Sequence, residues 1–380
     1  MEKEKFIIGI MTGTSVDSVD TALCRFYMES GSFRFDLLNY KEYEINSDIR
    51  KLIFRITSNK FTIKELSQLN FYLAYLFSDC SQGVCKEIGF DFKNVDLISI
   101  HGQTLWHNPI PEQFTDKFIS SSLQLTSISA LSAILKKEVI GDFRAADIAL
   151  GGQGAPLVPI FDYYFLRDEK KDIVALNIGG IANITIIPKN CSSQNLIGFD
   201  TGPGNMLIDI AVSKYFNKKF DENGEIAKSG QLIEKLYKDL LRIDFIYQVP
   251  PKSTGREFFN YQLLNSMVNE DYLPNDVIRT ITQFSAFSIA HNIKKYAPIN
   301  SMIVVSGGGR MNSYLIDLLN TELIDYDLMK IDELNINGDA KEAICFAFLG
   351  YLYKMHLHGN INSISGATKE IILGVSANNI

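Results

Sequence analysis

Hydrophobic and polar positions along the first third of this chain change from a two-residue to a three-to-four-residue period. The apolar runs Phe6–Met11 and Thr21–Tyr27 and the alternating stretch Phe33–Ile45 predict three antiparallel strands joined by tight turns. Across Ile63–Ile88, apolar residues recur every three or four positions, which predicts a long helix. A short buried strand and a second helix are predicted next, at Val95–Ile100 and Ile128–Lys136.

The same order of elements begins again near the middle of the chain. Two predicted strands, Asp172–Ile178 and Ala182–Ile187, flank the turn Gly179-Gly180. The later predicted elements are helices at Met206–Tyr215, Gln231–Leu241, Val277–Tyr296 and Ala340–Tyr353 and a strand at Met302–Val305. A duplicated unit of this kind predicts an α/β fold of two similar domains that face each other across a cleft. We expect one domain to comprise residues 1–165, completed by the C-terminal segment 340–380, and the other to comprise residues 166–339.

Composition and charge narrow the class of protein. Of the 380 residues, 46% are hydrophobic and 21% charged, which is typical of globular chains. The net charge of −7, without a basic cluster, argues against a nucleic-acid partner. Because no apolar run is long enough for a membrane span or a signal peptide, and the five cysteines lack zinc-site spacing, we expect a cytoplasmic protein with reduced, packed cysteines.

Three glycine-bearing turns follow predicted buried strands: Gly13-Thr14-Ser15, Gly179-Gly180 and Gly307-Gly308-Gly309. Glycine lets backbone N–H groups approach phosphate oxygens closely, and a following helix N-terminus adds partial positive charge. Any one such turn is more simply a hairpin or a cap, but three in a duplicated frame favour a nucleotide site. A fourth glycine-rich turn, Gly198–Asn205, precedes a helix and is a candidate phosphate or Mg²⁺ contact. The sequence contains no P-loop pattern.

Two carboxylates, Asp17 and Asp20, follow the first glycine turn. Carboxylates beside phosphate-binding backbone are unfavourable unless they share a cation, which suggests Mg²⁺ held by ATP phosphates and water. An equally good interpretation is that each bonds its own turn backbone.

The segment His101–Thr104 follows a predicted strand, where α/β proteins commonly bind ligands, and we expect it to contact a sugar. The six-residue separation of His101 and His107 fits no zinc pattern, and a loop histidine is otherwise a surface residue. Further along, Asp142 is either a general base aligned by Arg144 or its partner in an ion pair that fixes a loop. Asp339 is a good N-cap for the last predicted helix.

Eight segments, in order, resemble those of the anhydro-N-acetylmuramic acid kinase family along nearly the whole chain. They are Met11–Asp17, His101–Thr104, Gly141–Arg144, Gly151–Pro159, Asn177–Asn183, Phe199–Asn205, Ser306–Gly309 and Asp339–Ala343. The resemblance implies two actin- or hexokinase-like (ribonuclease H-like) domains with a nucleotide cleft between them. It also implies an ATP- and water-dependent kinase that opens the 1,6-anhydro bridge of a cell-wall sugar, giving N-acetylmuramic acid 6-phosphate and ADP in peptidoglycan recycling.

The resemblance also implies roles for single residues. Asp142 matches the catalytic aspartate that activates water for attack at the anomeric carbon, and Glu342 matches a residue near the sugar. The other residues expected at the substrate are His101, Gln103, Thr104 and Arg144. Those expected at ATP are Gly13, Thr14, Ser15, Val16, Asp17, Ser18, Val19, Asp20, Gly179, Gly180, Asn183, Asp200, Gly202, Gly204, Asn205, Gly307, Gly308 and Gly309. We expect no cage of protein ligands for a metal, only Mg²⁺ held through ATP, with Asp17 or Asp200 as its candidate direct ligand.

The chain departs from the family pattern at two places. Ser18 stands where the family usually has glycine, and Thr126-Ser127 stands where it usually has a Gly-Asn turn, which puts the phosphate loop and a detail of the sugar pocket in question. Two alternatives stay open: another sugar or acyl kinase of the same fold, and an actin-like or heat-shock-protein-like ATPase module. A homodimer also stays open.

Overall fold

The computed structural model describes residues 4–378, which fold into strands and helices in alternation. The strands are β1 (Lys5–Thr12), β2 (Ser18–Glu29), β3 (Ser32–Glu44), β4 (Leu97–Phe114), β5 (Lys117–Leu125), β6 (Glu138–Gly141), β7 (Ile173–Ile178), β8 (Ile181–Ile187), β9 (Ile197–Pro203), β10 (Met302–Ser306), β11 (Asp327–Lys330) and β12 (Val375–Ala377). The helices are α1 (Ser47–Thr57), α2 (Ile63–Lys86), α3 (Ile128–Leu135), α4 (Ala145–Ala149), α5 (Pro159–Leu166), α6 (Met206–Phe216), α7 (Glu225–Ser229), α8 (Glu234–Leu240), α9 (Tyr261–Met267), α10 (Pro274–Tyr296), α11 (Ser313–Glu322), α12 (Lys341–Lys354) and α13 (Asn362–Ser365).

The chain divides into two compact units. Unit 1 contains the chain up to Phe165 together with the segment from Ala340 onward, and unit 2 contains Leu166–Asp339. Unit 1 is therefore discontinuous in sequence, whereas unit 2 is one uninterrupted segment.

Each unit is built on a mixed sheet, and the two sheets have the same strand order. In unit 1, β1, β2 and β3 form an antiparallel meander, and β4 and β6 add parallel to β1 in the order β3-β2-β1-β4-β6. In unit 2, β9-β8-β7-β10-β11 repeats this arrangement, with β10 and β11 parallel to β7. This is the strand order of a ribonuclease H-like domain, and it confirms the predicted α/β class and the duplication.

Helix α12 packs directly on the sheet of unit 1 because small residues face it. A Cβ on Gly9 in β1 would overlap the backbone of Ala343 and Ala347, and one on Gly350 in α12 would lie 2.6 Å from the Cβ of Ser99. The Ser99 hydroxyl also donates a hydrogen bond to the carbonyl of Phe346. These contacts fix the position of α12 and of the residues in its first turn.

The apolar positions predicted from periodicity form the cores. On one face of the unit 1 sheet lie α1, α2 and α3, where Leu73 and Phe77 of α2 are fully buried. Thr62 and Glu65 begin α2 with a reciprocal capping box. In unit 2, the apolar side of α10 packs on β7, β8 and β10, with Ile289 and Ile293 fully buried. Predicted element types are therefore confirmed wherever a long periodic segment exists.

Two local predictions are wrong. The strand predicted to end at Ile100 continues through His101–Thr104 to Phe114, because β5 pairs with it in an antiparallel hairpin. Asp339 does not cap α12; the cap residue is Ala340, and the Asp339 carboxylate accepts a hydrogen bond from Arg310 at 2.8 Å.

The expectations about cysteines and membrane segments have separate outcomes. No disulfide joins the five cysteines; Cys24, Cys80, Cys85 and Cys345 are buried and Cys191 is partly buried, so the prediction of packed cysteines is confirmed for four of them. Within residues 4–378, no helix combines the length and the apolarity that crossing a bilayer requires.

Candidate functional site

The first glycine turn joins β1 to β2 and is held from two sides. The Val16 amide donates to the carbonyl of Gly13 at 3.2 Å, and Gln103 of β4 donates its side-chain amide to the same carbonyl at 3.4 Å. Val16 is buried in left-handed backbone, with φ of 56°, which is strained for a β-branched residue. Such strain persists where the surrounding structure enforces one loop shape and is common at ligand sites.

The carboxylates after this turn have different surroundings. Asp17 pairs with Arg50 at 2.7 Å on the surface. Burial, reinforced by neighbouring carboxylates that include Glu342, raises the pKa of Asp20 to about 6, although the Ser18 hydroxyl donates to it at 3.2 Å. Asp20, rather than Asp17, therefore belongs to the same electrostatic environment as Glu342. Ser18, where glycine was expected, supplies that hydroxyl.

His101 lies inside unit 1 and not on a surface loop. Its side chain is 3% exposed, and its ring packs on Phe346 with centroids 4.7 Å apart. The imidazole Nε2 accepts hydrogen bonds from Nε and Nη2 of Arg144, at 3.0 and 2.9 Å. Burial and the neighbouring guanidinium hold the pKa of His101 well below its usual value, so the imidazole is neutral with its proton on Nδ1.

Gln103 and Thr104 differ in access. Gln103 is fully buried and supports the first glycine turn, as described above. Thr104 is half-buried, and its hydroxyl accepts a hydrogen bond from Gln124 of β5 at 3.4 Å. Of the two, Thr104 has the side chain that a ligand can reach.

At the second departure from the family pattern, the Ser127 hydroxyl caps α3 by accepting a hydrogen bond from the Ala130 amide at 3.3 Å.

Asp142 directly follows β6 and is presented by an unusual backbone. Its φ is 58°, in the left-handed region, and its side chain is exposed. The next residue, Phe143, is buried against Phe346 of α12, which anchors the segment. Asp142 and Arg144 form no salt bridge among residues 4–378, so the loop-fixing ion pair is not present; Arg144 bonds His101 instead. The carboxylate of Asp142 is thus left available for chemistry.

Glu342 lies in the first turn of α12. Part of its side chain is exposed to solvent. The surrounding protein nevertheless desolvates the carboxyl group and raises its pKa, and the charges of Lys341 and Arg144 oppose this rise. The adjacent Lys341 forms a buried ion pair with Asp162 of α5 at 2.7 Å, with both side chains 5% exposed. Burial raises the pKa of Asp162 and Lys341 opposes that rise. The ion pair fixes the start of α12 and with it the position of Glu342.

In unit 2, the glycine turns predicted from the sequence come together at one end of the sheet. The amides of Gly204 and Asn205, after β9, donate to the carbonyls of Gly180 and Gly179, both at 2.9 Å. A Cβ on Gly307, after β10, would lie 2.7 Å from the carbonyl oxygen of Ile178. Only glycine allows this approach, so the three turns form one cluster.

Asp200 and Asn183 lie beside this cluster on neighbouring strands, as partners in the β8–β9 register. Oδ2 of Asp200 accepts from the Ser253 hydroxyl at 3.1 Å and from the Thr254 amide at 2.9 Å. Burial raises the pKa of Asp200, although the Thr254 amide lowers it. Gly202, two residues on, has φ of 146°, and a Cβ there would overlap the hydroxyl of Ser288.

A cavity of about 470 Å³ opens next to the same turns. Its walls include Asn205 and Gly308, which the sequence singled out, and Asp209, Asn223 and Asn312, which it did not. Its volume is in the range of small-molecule sites. Burial, against the effect of Arg256, raises the pKa of Asp209 to about 7. The only signal for Asp209 in the sequence was its place in the first turn of the helix that follows Gly198–Asn205.

Sequence reasoning also missed Asp147, which organises the glycine-rich segment after Asp142. Its fully buried carboxylate accepts from the Gly154 amide (2.8 Å), the Asn360 side chain (2.8 Å) and the Ser365 hydroxyl (2.7 Å). A Cβ on Gly152 would overlap this carboxylate. Asp147 therefore joins the glycine-rich segment to the C-terminal part of unit 1, which no local pattern reveals.

No group of three or more His, Cys, Asp or Glu side chains in the described part of the chain is arranged to hold a metal ion. Any divalent cation would need further ligands from a bound molecule or from water.

Comparisons with known proteins cover nearly the whole chain. The family model described as anhydro-N-acetylmuramic acid kinase matches residues 5–379. The chain is 37% identical to the anhydro-N-acetylmuramic acid kinase of Clostridioides difficile (strain 630) over 375 residues, which is 97% of each chain. It is 35% identical to that of Bacillus cereus (strain Q1) over 378 residues, 97% of this chain and 98% of the relative.

A solved structure is similar at a much lower level. The ADPNP-bound activator of 2-hydroxyisocaproyl-CoA dehydratase from Clostridium difficile has a TM-score of 0.43 and 11% identity, covering 92% of this chain and 97% of that one. At that level the likeness says nothing about substrate. The family match and the two relatives, at 35–37% identity, are decisive: the chain belongs to the anhydro-N-acetylmuramic acid kinase family.

Proposed function

We propose that this protein uses ATP and water to open the 1,6-anhydro bridge of 1,6-anhydro-N-acetylmuramic acid and phosphorylates O6. The products are N-acetylmuramic acid 6-phosphate and ADP, as in peptidoglycan recycling. The observation that carries the proposal is the family match over residues 5–379. The activity fits a cytoplasmic protein whose partner is a small sugar, without nucleic acid or membrane.

Asp142 acts as the general base in this proposal. Its exposed carboxylate, free of ion pairs within the described residues, can accept a proton from water as the water attacks the anomeric carbon. Attack opposite the departing bridge oxygen resembles inverting glycoside hydrolysis. As the bridge opens, O6 becomes a developing alkoxide and needs no second base. The buried Lys341–Asp162 pair fixes the start of α12 and with it the position of Glu342.

The residues present fit a nucleotide. In unit 2, a Cβ on Gly308 would meet no described atom within 4 Å, so its backbone is open to a phosphate, and the 470 Å³ cavity beside it has room for a nucleoside. In unit 1, Gly13–Asp20 supplies the second phosphate turn. ATP bound there supplies the phosphoryl group, and backbone amides stabilise its charge.

Mg²⁺ held through the phosphates is part of the proposal, and Asp200 is its favoured protein contact. Oδ1 of Asp200 has no hydrogen-bond partner within residues 4–378, whereas Asp17 is already paired with Arg50. Asp200 can therefore accept a metal-bound water without breaking an ion pair. That Gly13–Ser15 faces Gly179-Gly180 across a cleft stays a prediction, and so does a homodimer.

The test is turnover in water enriched in ¹⁸O, followed by mass spectrometry of the sugar product. We expect one labelled oxygen on carbon 1 and none in the transferred phosphoryl group. Label in inorganic phosphate alone would indicate the ATPase module, and phosphorylation without label would indicate an ordinary sugar kinase; either result refutes the proposal.

A further inference from the structure

Arg144 is a partly buried cation whose guanidinium forms no salt bridge with the described residues. Burial lowers the pKa of its guanidinium to about 10, and the charge of Glu342 only partly offsets this. No carboxylate oxygen of the described residues lies within the 4.0 Å of a salt bridge to Arg144. A guanidinium that is largely withdrawn from water commonly pairs with an anion, because burying an uncompensated charge is unfavourable. An anion supplied from outside the described residues would balance the charge of Arg144.

The side chain is nevertheless held firmly in one position. Nε and Nη2 both donate to Nε2 of His101, and His101 is fixed by burial and by its contact with Phe346. A neutral imidazole orients the guanidinium but adds no negative charge to balance it. Nη1 has no protein partner among residues 4–378 and is not sealed from solvent. Arg144 thus presents a preoriented, unpaired N–H group.

The position of Arg144 relates this group to the substrate side of unit 1. It lies two residues after Asp142 and is electrostatically coupled to Glu342. Muramic acids differ from glucosamines by an ether-linked lactic acid, which is a carboxylate at neutral pH. Charge-assisted hydrogen bonds between guanidinium and carboxylate are the strong ones in proteins.

We propose that Arg144, positioned by His101, binds the carboxylate of the acid sugar and determines the preference of the enzyme for acidic over neutral anhydro sugars. The inference rests on the proposed function. It assigns Arg144 as a specificity-determining residue that touches the substrate, and His101 as a positioning residue that acts through Arg144.

The experiment compares 1,6-anhydro-N-acetylmuramic acid with the same sugar whose acid has been converted to the primary amide. Losing a charge-assisted hydrogen bond at a partly buried site should lower kcat/KM for the acid by about 10- to 100-fold in Arg144→Met. Turnover of the amide should change by less than about threefold, so the preference disappears. Arg34→Met, at an exposed arginine of β3 paired with Glu29, is the matched control and should keep the preference.

His101 is tested through a double-mutant cycle. His101→Leu should lower kcat/KM for the acid but not for the amide, and Arg144→Met/His101→Leu should lose no more than Arg144→Met alone. A further loss in the double variant would show that His101 acts independently of Arg144 and would overturn its positioning role. Arg144→Lys, which keeps charge but not the forked geometry, should recover part of the preference and guards against misfolding of the Met variant.

Calorimetric binding of the acid and the amide without ATP separates this inference from the proposed function. Wild-type protein that binds the acid better than the amide but does not turn it over would overturn the function and keep the inference. Equal losses for acid and amide in Arg144→Met, or a matching rise in the KM for ATP, would overturn the inference and keep the function. Binding of neither sugar would overturn both.

Discussion

Replacing Asp142 with asparagine distinguishes a catalytic role of this residue from a structural one. The side chain is exposed, forms no salt bridge within the described chain and lies in left-handed backbone, which asparagine also tolerates. Asp142→Asn should therefore change the free energy of unfolding by less than about 0.5 kcal/mol. Loss of the base should lower kcat by about 10²–10⁴-fold, which corresponds to about 3–5 kcal/mol in the activation barrier.

The assay measures kcat, nucleotide affinity and melting temperature on one preparation. Asp142→Ala is the matched control for the backbone, because alanine in the left-handed region should lose about 1–2 kcal/mol of stability in addition to activity. Near-normal kcat in stable Asp142→Asn protein would eliminate Asp142 as the base. A large loss of stability with retained turnover of the folded fraction would assign the residue to loop structure instead.

Two further predictions concern stability. The folded pKa of Asp20, about 6, lies above its usual 3.8, so stability falls as pH rises between these values; Asp20→Asn should gain about 1–2 kcal/mol over wild type at pH 7.5 and much less at pH 4. Urea unfolding at both pH values checks this, and an equal difference at the two would contradict it. Lys341→Met leaves Asp162 buried without its partner and should lose about 3–5 kcal/mol of unfolding free energy, much of which Lys341→Met/Asp162→Leu should restore. A loss below about 1 kcal/mol in the single variant would show that Asp162 is protonated or solvated in the folded state.

The sequence predicted what depends on local periodicity. The alternating stretch Phe33–Ile45 is the strand Ser32–Glu44, and the helical pattern at Ile63–Ile88 is the helix Ile63–Lys86. The glycine turns Gly179-Gly180 and Gly307–Gly309 were identified from their glycines alone, and the structure brings them together: a Cβ on Gly307 would lie 2.7 Å from the carbonyl oxygen of Ile178.

What the sequence did not predict depends on partners far away along the chain. The predicted strand ended too early, before His101–Thr104, because the residues of β5 that pair with this segment come about twenty positions later in the chain. Asp339 was assigned to a helix cap because nothing local indicates that Arg310 takes its carboxylate. Lys341 and Asp147 escaped notice for the same reason, since Asp162 and Asn360 are distant in sequence.

The discontinuity of unit 1 has a consequence for how the protein is made. A ribosome finishes all of unit 2 once Asp339 has been added. At that moment unit 1 still lacks α12, against which Gly9 packs, and β12, which extends the sheet beside β6. Glu342 and the partner of Asp162 are also still to come. A chain released before Ala340 contains the glycine cluster of unit 2 but only part of unit 1. Such truncated chains therefore cannot form the substrate site.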